Sequence, residues 1–131
     1  MNKVIITWVT KGIWKALCKK YIEKWYWVIW ISSNQVNLDA LKLEIPSTML
    51  ELLKCDIWNS DDILDFTNSI KNQNIVYLIN NVWVWYHSQF ENIPDEKIVE
   101  IINTNLVWTM RITKAVLENC IWSLKNITFV S

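Results

Sequence analysis

The stretch Thr7-Trp8-Val9-Thr10-Lys11-Gly12-Ile13-Trp14 joins a β-type run to a helix-type run. A turn of that kind has one chemical use above others. Its backbone N–H groups and the helix N-terminus behind it face an anionic diphosphate. The first glycine of such a turn allows positive φ, and the others let backbone approach phosphate and helix approach strand. Here the pattern TGxxxGxG keeps Thr7 and Gly12, while the other two glycine places hold Trp8 and Trp14. Further polar residues follow later apolar runs. Ser32, Ser33 and Asn34 follow the second, Asp56 and Ile57 the third, and Asn80, Asn81, Val82 and Trp83 the fourth. Asn105 sits inside a long helical pattern, where asparagine is disfavoured, so a functional reason outweighs chance.

The elements that must hold these residues follow from periodicity. Val4 to Thr7 is a short β-branched run and reads as a strand. Ile13, Leu17 and Tyr21 recur at helical spacing, with lysines on the other faces. Tyr26 to Ser32 is continuously apolar, as in a strand buried on both faces. Residues 35–46 are mixed and carry no clear period. Leu50 to Ile57 reads as a third strand, and Ser60-Asp61-Asp62 opens a helix through Ile63, Phe66 and Ile70. Ile75 to Ile79 is a fourth strand, and residues 84–93 read as a loop. Pro94 opens a long helix with Ile98, Ile102, Leu106, Met110 and Val116 expected to face inward. Lys125 to Ser131 is a fifth strand. Strands alternating with helices imply right-handed βαβ units, a parallel sheet and helices on both faces. Ligands of such sheets bind beyond the carboxyl ends of the strands, where the polar residues above cluster.

Composition narrows the function. The 131 residues carry no net charge, so no basic stripe suggests nucleic acid. No apolar run reaches the roughly 20 residues of a membrane span, and the N-terminus is too short and strand-like for a signal peptide. Cys18, Cys55 and Cys120 fit neither a disulfide framework nor a metal site, and read as small buried apolar residues of a cytoplasmic protein. His87, the one histidine, has no metal partner or nucleophile near it in sequence. The aromatic-rich run from Trp83 to His87 lacks the basic residues that a nucleic-acid stacking surface needs.

Taken together, these motifs resemble the N-terminal half of a short-chain dehydrogenase/reductase. That family carries TGxxxGIG after strand one, Asp after strand three, NNAG after strand four, and N-x-N-L-x-G in the helix that follows. This chain reads Thr7-Trp8 to Gly12-Ile13-Trp14, Asp56-Ile57, Asn80-Asn81-Val82-Trp83, and Asn103-Thr104-Asn105-Leu106-Val107-Trp108. The resemblance implies a single partial Rossmann-like domain over residues 1–131. Its fold is α/β, a doubly wound parallel sheet of about five strands in three layers, order 3-2-1-4-5. It implies hydride transfer between a nicotinamide and a small carbonyl or alcohol substrate, and a homo-oligomer in the full-length protein. The cofactor contacts implied are Thr7, Trp8, Thr10, Lys11, Gly12, Ile13 and Trp14 at the phosphates. Ser32 and Ser33 lie by the ribose, Asp56 and Ile57 at the adenine, and Asn81, Val82 and Trp83 along the channel. Lys11 matches the basic residue of NADP-preferring members, and no acid follows strand two, so NADP(H) is expected over NAD(H). The simpler reading of Asp56 is a strand-end turn former. Asn105 matches the family's catalytic asparagine.

The departures have one pattern. Trp8, Trp14, Trp83 and Trp108 stand at family glycine positions, and Trp25 stands where a helix-ending glycine is expected. Trp30, Trp85 and Trp122 are further candidates for glycine, and Trp27 and Trp58 are candidates for genuine tryptophan. Glycine occurs once and tryptophan ten times, where average usage of about 7% predicts roughly nine glycines. A source cell that reads UGA as glycine, set against a translation that reads it as tryptophan, accounts for the pattern. The family's Tyr-x-x-x-Lys pair is absent: four residues beyond Tyr21, Tyr26, Tyr77 and Tyr86 stand Trp25, Trp30, Asn81 and Phe90. The alternative is therefore a catalytically inactive nucleotide-binding or interaction domain. A third, a tryptophan-rich interaction protein, takes the indoles literally.

Overall fold

Val4, Ile5 and Ile6 are wholly buried, which requires cover on both faces of the strand that carries them. A computed structural model provides that cover, and describes residues 1–7, 13–56, 58–81 and 86–130, with only the backbone of Ile13. Five parallel strands form one sheet: β1 (Lys3–Thr7), β2 (Trp27–Ser32), β3 (Leu50–Lys54), β4 (Ile75–Asn80) and β5 (Asn126–Phe129). Their spatial order is β3-β2-β1-β4-β5, as the resemblance implied. The chain leaves β1 toward β2 on one side and later returns to β4 on the other, so the topological switch lies between β1 and β4.

Alternate side chains of the strands feed two cores. Val4, Ile6, Val28 and Trp30 pack with Cys18 of α1 (Ile13–Glu23) and with Leu38 and Leu41 of α2 (Gln35–Glu44). Ile5, Ile29, Ile31 and Leu78 pack on the opposite face. Their partners there are Phe66 and Ile70 of α3 (Ser60–Ile70) and Ile112 and Val116 of α5 (Thr109–Cys120). α4 (Asp95–Ile102) leads into α5 through a π-helical turn over Asn103–Trp108. A short 3₁₀ turn, Phe90–Asn92, precedes α4 inside the stretch read as loop.

Caps explain where the helices begin. Asn34 accepts from the Asn37 N–H, so the unpatterned stretch after β2 is a helix set by its cap rather than by its period. α3 is capped by Asn59, whose side chain accepts from the N–H groups of Asp61 and Asp62. Both carboxylates then lie in the first turn, where the helix dipole favours them.

One expectation about the long helix fails. Val116 is buried, but Ile102, Leu106 and Met110 are 51%, 51% and 61% exposed, and the buried stripe is Trp108, Ile112, Ala115 and Cys120. The helix carries apolar residues on two faces, and the π turn advances its register. No single 3.6-residue period runs through it. The third strand is also shorter than its apolar pattern, ending at Lys54.

Candidate functional site

The carboxyl ends of four strands bring the polar residues together. Thr7, at the end of β1, is wholly buried and in register with Ile31 of β2 and Asn80 of β4. Its hydroxyl donates to the Ile79 carbonyl (3.4 Å) and accepts from the Asn81 N–H (3.1 Å). One side chain thus pins the two strands that flank the switch point. Thr7→Val keeps the shape and removes both bonds. It is expected to lower stability by about 1–3 kcal/mol, because a buried N–H loses its acceptor. A urea midpoint indistinguishable from the parent would contradict this.

Asn80 is buried, and its Nδ2 donates to Thr113 Oγ1 of α5 at 3.0 Å. Its Oδ1 is buried with no partner among the described residues. Such an atom at a strand end marks a place for a water or a ligand donor. Thr113 was not expected at the site. Its only signal is the helical spacing that puts it two turns beyond Asn105. Asn105 itself is half-buried within the π turn, a feature that concentrates at functional sites.

After β2, the Ser32 hydroxyl is buried and accepts from the Asn34 N–H (3.1 Å), folding the chain into the cap of α2. Ser33, between them, is half-buried. After β3, Asp56 makes a turn of its own, its Oδ1 accepting from the Trp58 N–H (3.0 Å). Its N–H donates to the Asp62 carboxylate (2.9 Å), and its carbonyl accepts from the Asn59 N–H. The turn-former role of Asp56 is therefore realised, and Asp62 is a positioning residue that sequence reading missed. Trp8, Thr10, Lys11, Gly12, Ile57, Val82 and Trp83 lie outside the described residues, as do Ser131 and the side chain of Ile13.

The frame fits a dinucleotide: a parallel sheet, polar strand ends at the switch point and an orphaned buried oxygen. The turn as written does not. Trp14 sets a half-buried indole in the first turn of α1, packed against the core beside β1, where a phosphate must reach main chain.

The cysteines play no part in the site. All three are buried and unpaired. Burial pushes the Cys18 and Cys55 thiols up to about 12, neighbouring Lys19 opposing the shift in the first and Asp62 and Asp56 adding to it in the second. Burial also raises Cys120, whose Sγ donates to the Ile70 carbonyl at 3.3 Å. The unfolded chain releases the Cys18 and Cys55 protons from about pH 9, whereas the folded chain holds them to about 12. Their contribution is thus intact below pH 9 and is lost as pH rises from there toward 12. Thiol reagents at pH 8 are expected to label the three only after denaturant is added. Rapid labelling of the native chain would contradict the burial.

Among the described residues no helix is long and apolar enough to cross a membrane. Residues 2–127 match the family model described as short chain dehydrogenase. The chain is 29% identical over 121 residues to a very-long-chain 3-oxoacyl-CoA reductase of Coccidioides immitis (strain RS), covering 86% of this chain and 34% of that protein. It is 26% identical over 108 residues to inactive hydroxysteroid dehydrogenase-like protein 1 of Homo sapiens, covering 78% of this chain and 33% of the relative. It therefore spans about a third of the length of these relatives. The fold is similar to that of a serine dehydrogenase from Escherichia coli, with TM-score 0.75 and 24% identity over 88% of this chain and 55% of the other. It is also similar to the F189W actinorhodin polyketide ketoreductase solved with NADPH, with TM-score 0.77 and 19% identity over 89% of this chain and 46% of that one.

Proposed function

Because this chain belongs to the short-chain dehydrogenase family, we propose that it forms the cofactor-binding part of an NAD(P)-dependent oxidoreductase that prefers NADP(H). The reaction proposed for the whole protein is hydride transfer between a nicotinamide and a carbonyl or alcohol carbon of a small substrate. A carbonyl substrate is in keeping with the 3-oxoacyl-CoA reductases among the relatives. A cytoplasmic setting is in keeping with three unpaired cysteines, and a homo-oligomer is proposed from the family resemblance.

The observation that carries the reading is the Thr7 hydroxyl joining the ends of β1 and β4, with Ser32, Asp56 and Asn80 at neighbouring strand ends. The cofactor's diphosphate would be held there by main chain. Thr7, Ser32 and Asp56 shape the three strand ends, and Lys11 supplies the cation for a ribose 2′-phosphate. Asn105 is proposed as the catalytic asparagine.

A second reading, an inactive nucleotide-binding domain, is in keeping with the inactive hydroxysteroid dehydrogenase-like protein among the relatives. Both readings require the nucleotide, so binding is the test. In a version carrying glycine at 8, 14 and 83, Lys11→Glu should weaken NADPH by about tenfold or more while leaving NADH within about threefold. Nicotinamide fluorescence titration measures both. Equal loss for the two would remove the NADP preference, and no binding of either would remove the cofactor reading itself.

A further inference from the structure

Two tryptophans occupy places that suit an indole poorly in the described structure, for two unrelated physical reasons. The first is at the end of α1. The Trp25 N–H donates to the Ile22 carbonyl (2.9 Å) and the Tyr26 N–H to the Tyr21 carbonyl (3.0 Å). This pair of bonds closes a helix through a left-handed residue, which is usually glycine and sometimes asparagine. Trp25 has φ 64°, and its side chain is 79% exposed, so no packing compensates the conformation. The other described non-glycine residue at positive φ is Asn72 (φ 62°), a residue type that tolerates it.

The second place is in the core. Trp108 is 4% exposed and closes the π turn between α4 and α5. Its indole Nε1 is buried with no hydrogen-bond partner among the described residues. A native core tryptophan ordinarily finds a partner for that donor. The helix meets the sheet here through Ile112 and Val116, in the same cluster as Ile5 and Leu78, and a residue with no side chain would let it approach.

Backbone conformation at 25 and buried volume at 108 share nothing except the residue written there. The residue that satisfies both is glycine. One base separates the glycine codon GGA from UGA. Counted together, the single glycine and ten tryptophans come close to the roughly nine glycines of an average chain this long. We infer that in the native protein residues 25 and 108 are glycine, encoded by UGA, which the source cell reads as glycine. This goes beyond the proposed function and does not depend on it, since neither position needs to touch a nucleotide.

The test is tandem mass spectrometry of the protein isolated from its source cells. Trypsin releases residues 25–42 and 98–111 as single peptides, because no lysine or arginine interrupts either. The expected reading from the fragment ions is glycine at 25 and at 108, each of those residues lighter by the mass of an indolylmethyl group less a hydrogen, with UGA at both codons. Tryptophan at residue 25 or at residue 108, or a UGG codon at either position, overturns the inference. Peptide masses report nothing about ligand binding, so failure here and failure of the cofactor reading are separate results.

Discussion

Glycine at positions 8, 14 and 83 together should convert a chain that barely retains NADPH at millimolar concentration into one that binds it in the micromolar range. That is about a thousandfold, or about 4 kcal/mol. The size follows from what the turn must do. A phosphate held by backbone N–H groups needs main chain within hydrogen-bond reach, and each indole substitutes bulk for that access. Forcing excess volume into a fitted space costs about 1–3 kcal/mol per site, so three sites suffice. Trp14 is the visible member, half-buried in the first turn of α1. Isothermal titration of the triple variant beside the parent measures the change. Equal affinities would mean that the indoles do not obstruct the site.

The second large effect is on stability, and its sign is the informative part. Removing a well-packed buried tryptophan side chain normally costs about 3–5 kcal/mol, and a glycine within a helix adds about 1. Trp108→Gly is expected instead to leave stability within about 1 kcal/mol of the parent, or to raise it. Three terms decide this. An unpaired buried donor is relieved, worth about 1–3 kcal/mol. Overpacking is relieved, worth a similar amount. Closure of α5 onto the sheet then recovers apolar contact. Trp25→Gly, on the surface, should gain about 1–2 kcal/mol by removing a side chain from a left-handed residue. Urea unfolding of both variants gives the values. A loss above about 3 kcal/mol for Trp108→Gly would establish the indole as a native core residue.

Much of the sheet was legible because its three central strands, β2, β1 and β4, are buried on both faces. Val4 to Thr7 and Ile75 to Asn80 are near-continuous apolar runs, and such runs admit few readings once helices alternate with them. Sequence could not read α2, whose only strong signal is the Asn34 cap. Nor could it choose the inward face of α4 and α5. Leu106 and Met110 are as apolar as Ile112 and Val116, yet the first pair is exposed and the second buried on the other face. At the site, strand ends were recoverable from motif order. The groups that hold them were not, because Thr113 reaches Asn80 from 33 residues away and Asp62 grips Asp56 through its backbone. Contacts of that kind leave no spacing to find.

The proposal on which the rest depends is that a dinucleotide lies across the carboxyl ends of β1, β2, β3 and β4 against bare main chain. Hydrogen exchange of the glycine-restored chain, with and without NADPH, tests it most directly. Slowed amide exchange is expected, confined to residues 7–14, 32–34, 55–57 and 80–83. Protection elsewhere, along α4 and α5 for instance, or unchanged exchange in those four segments at saturating NADPH, would contradict this placement.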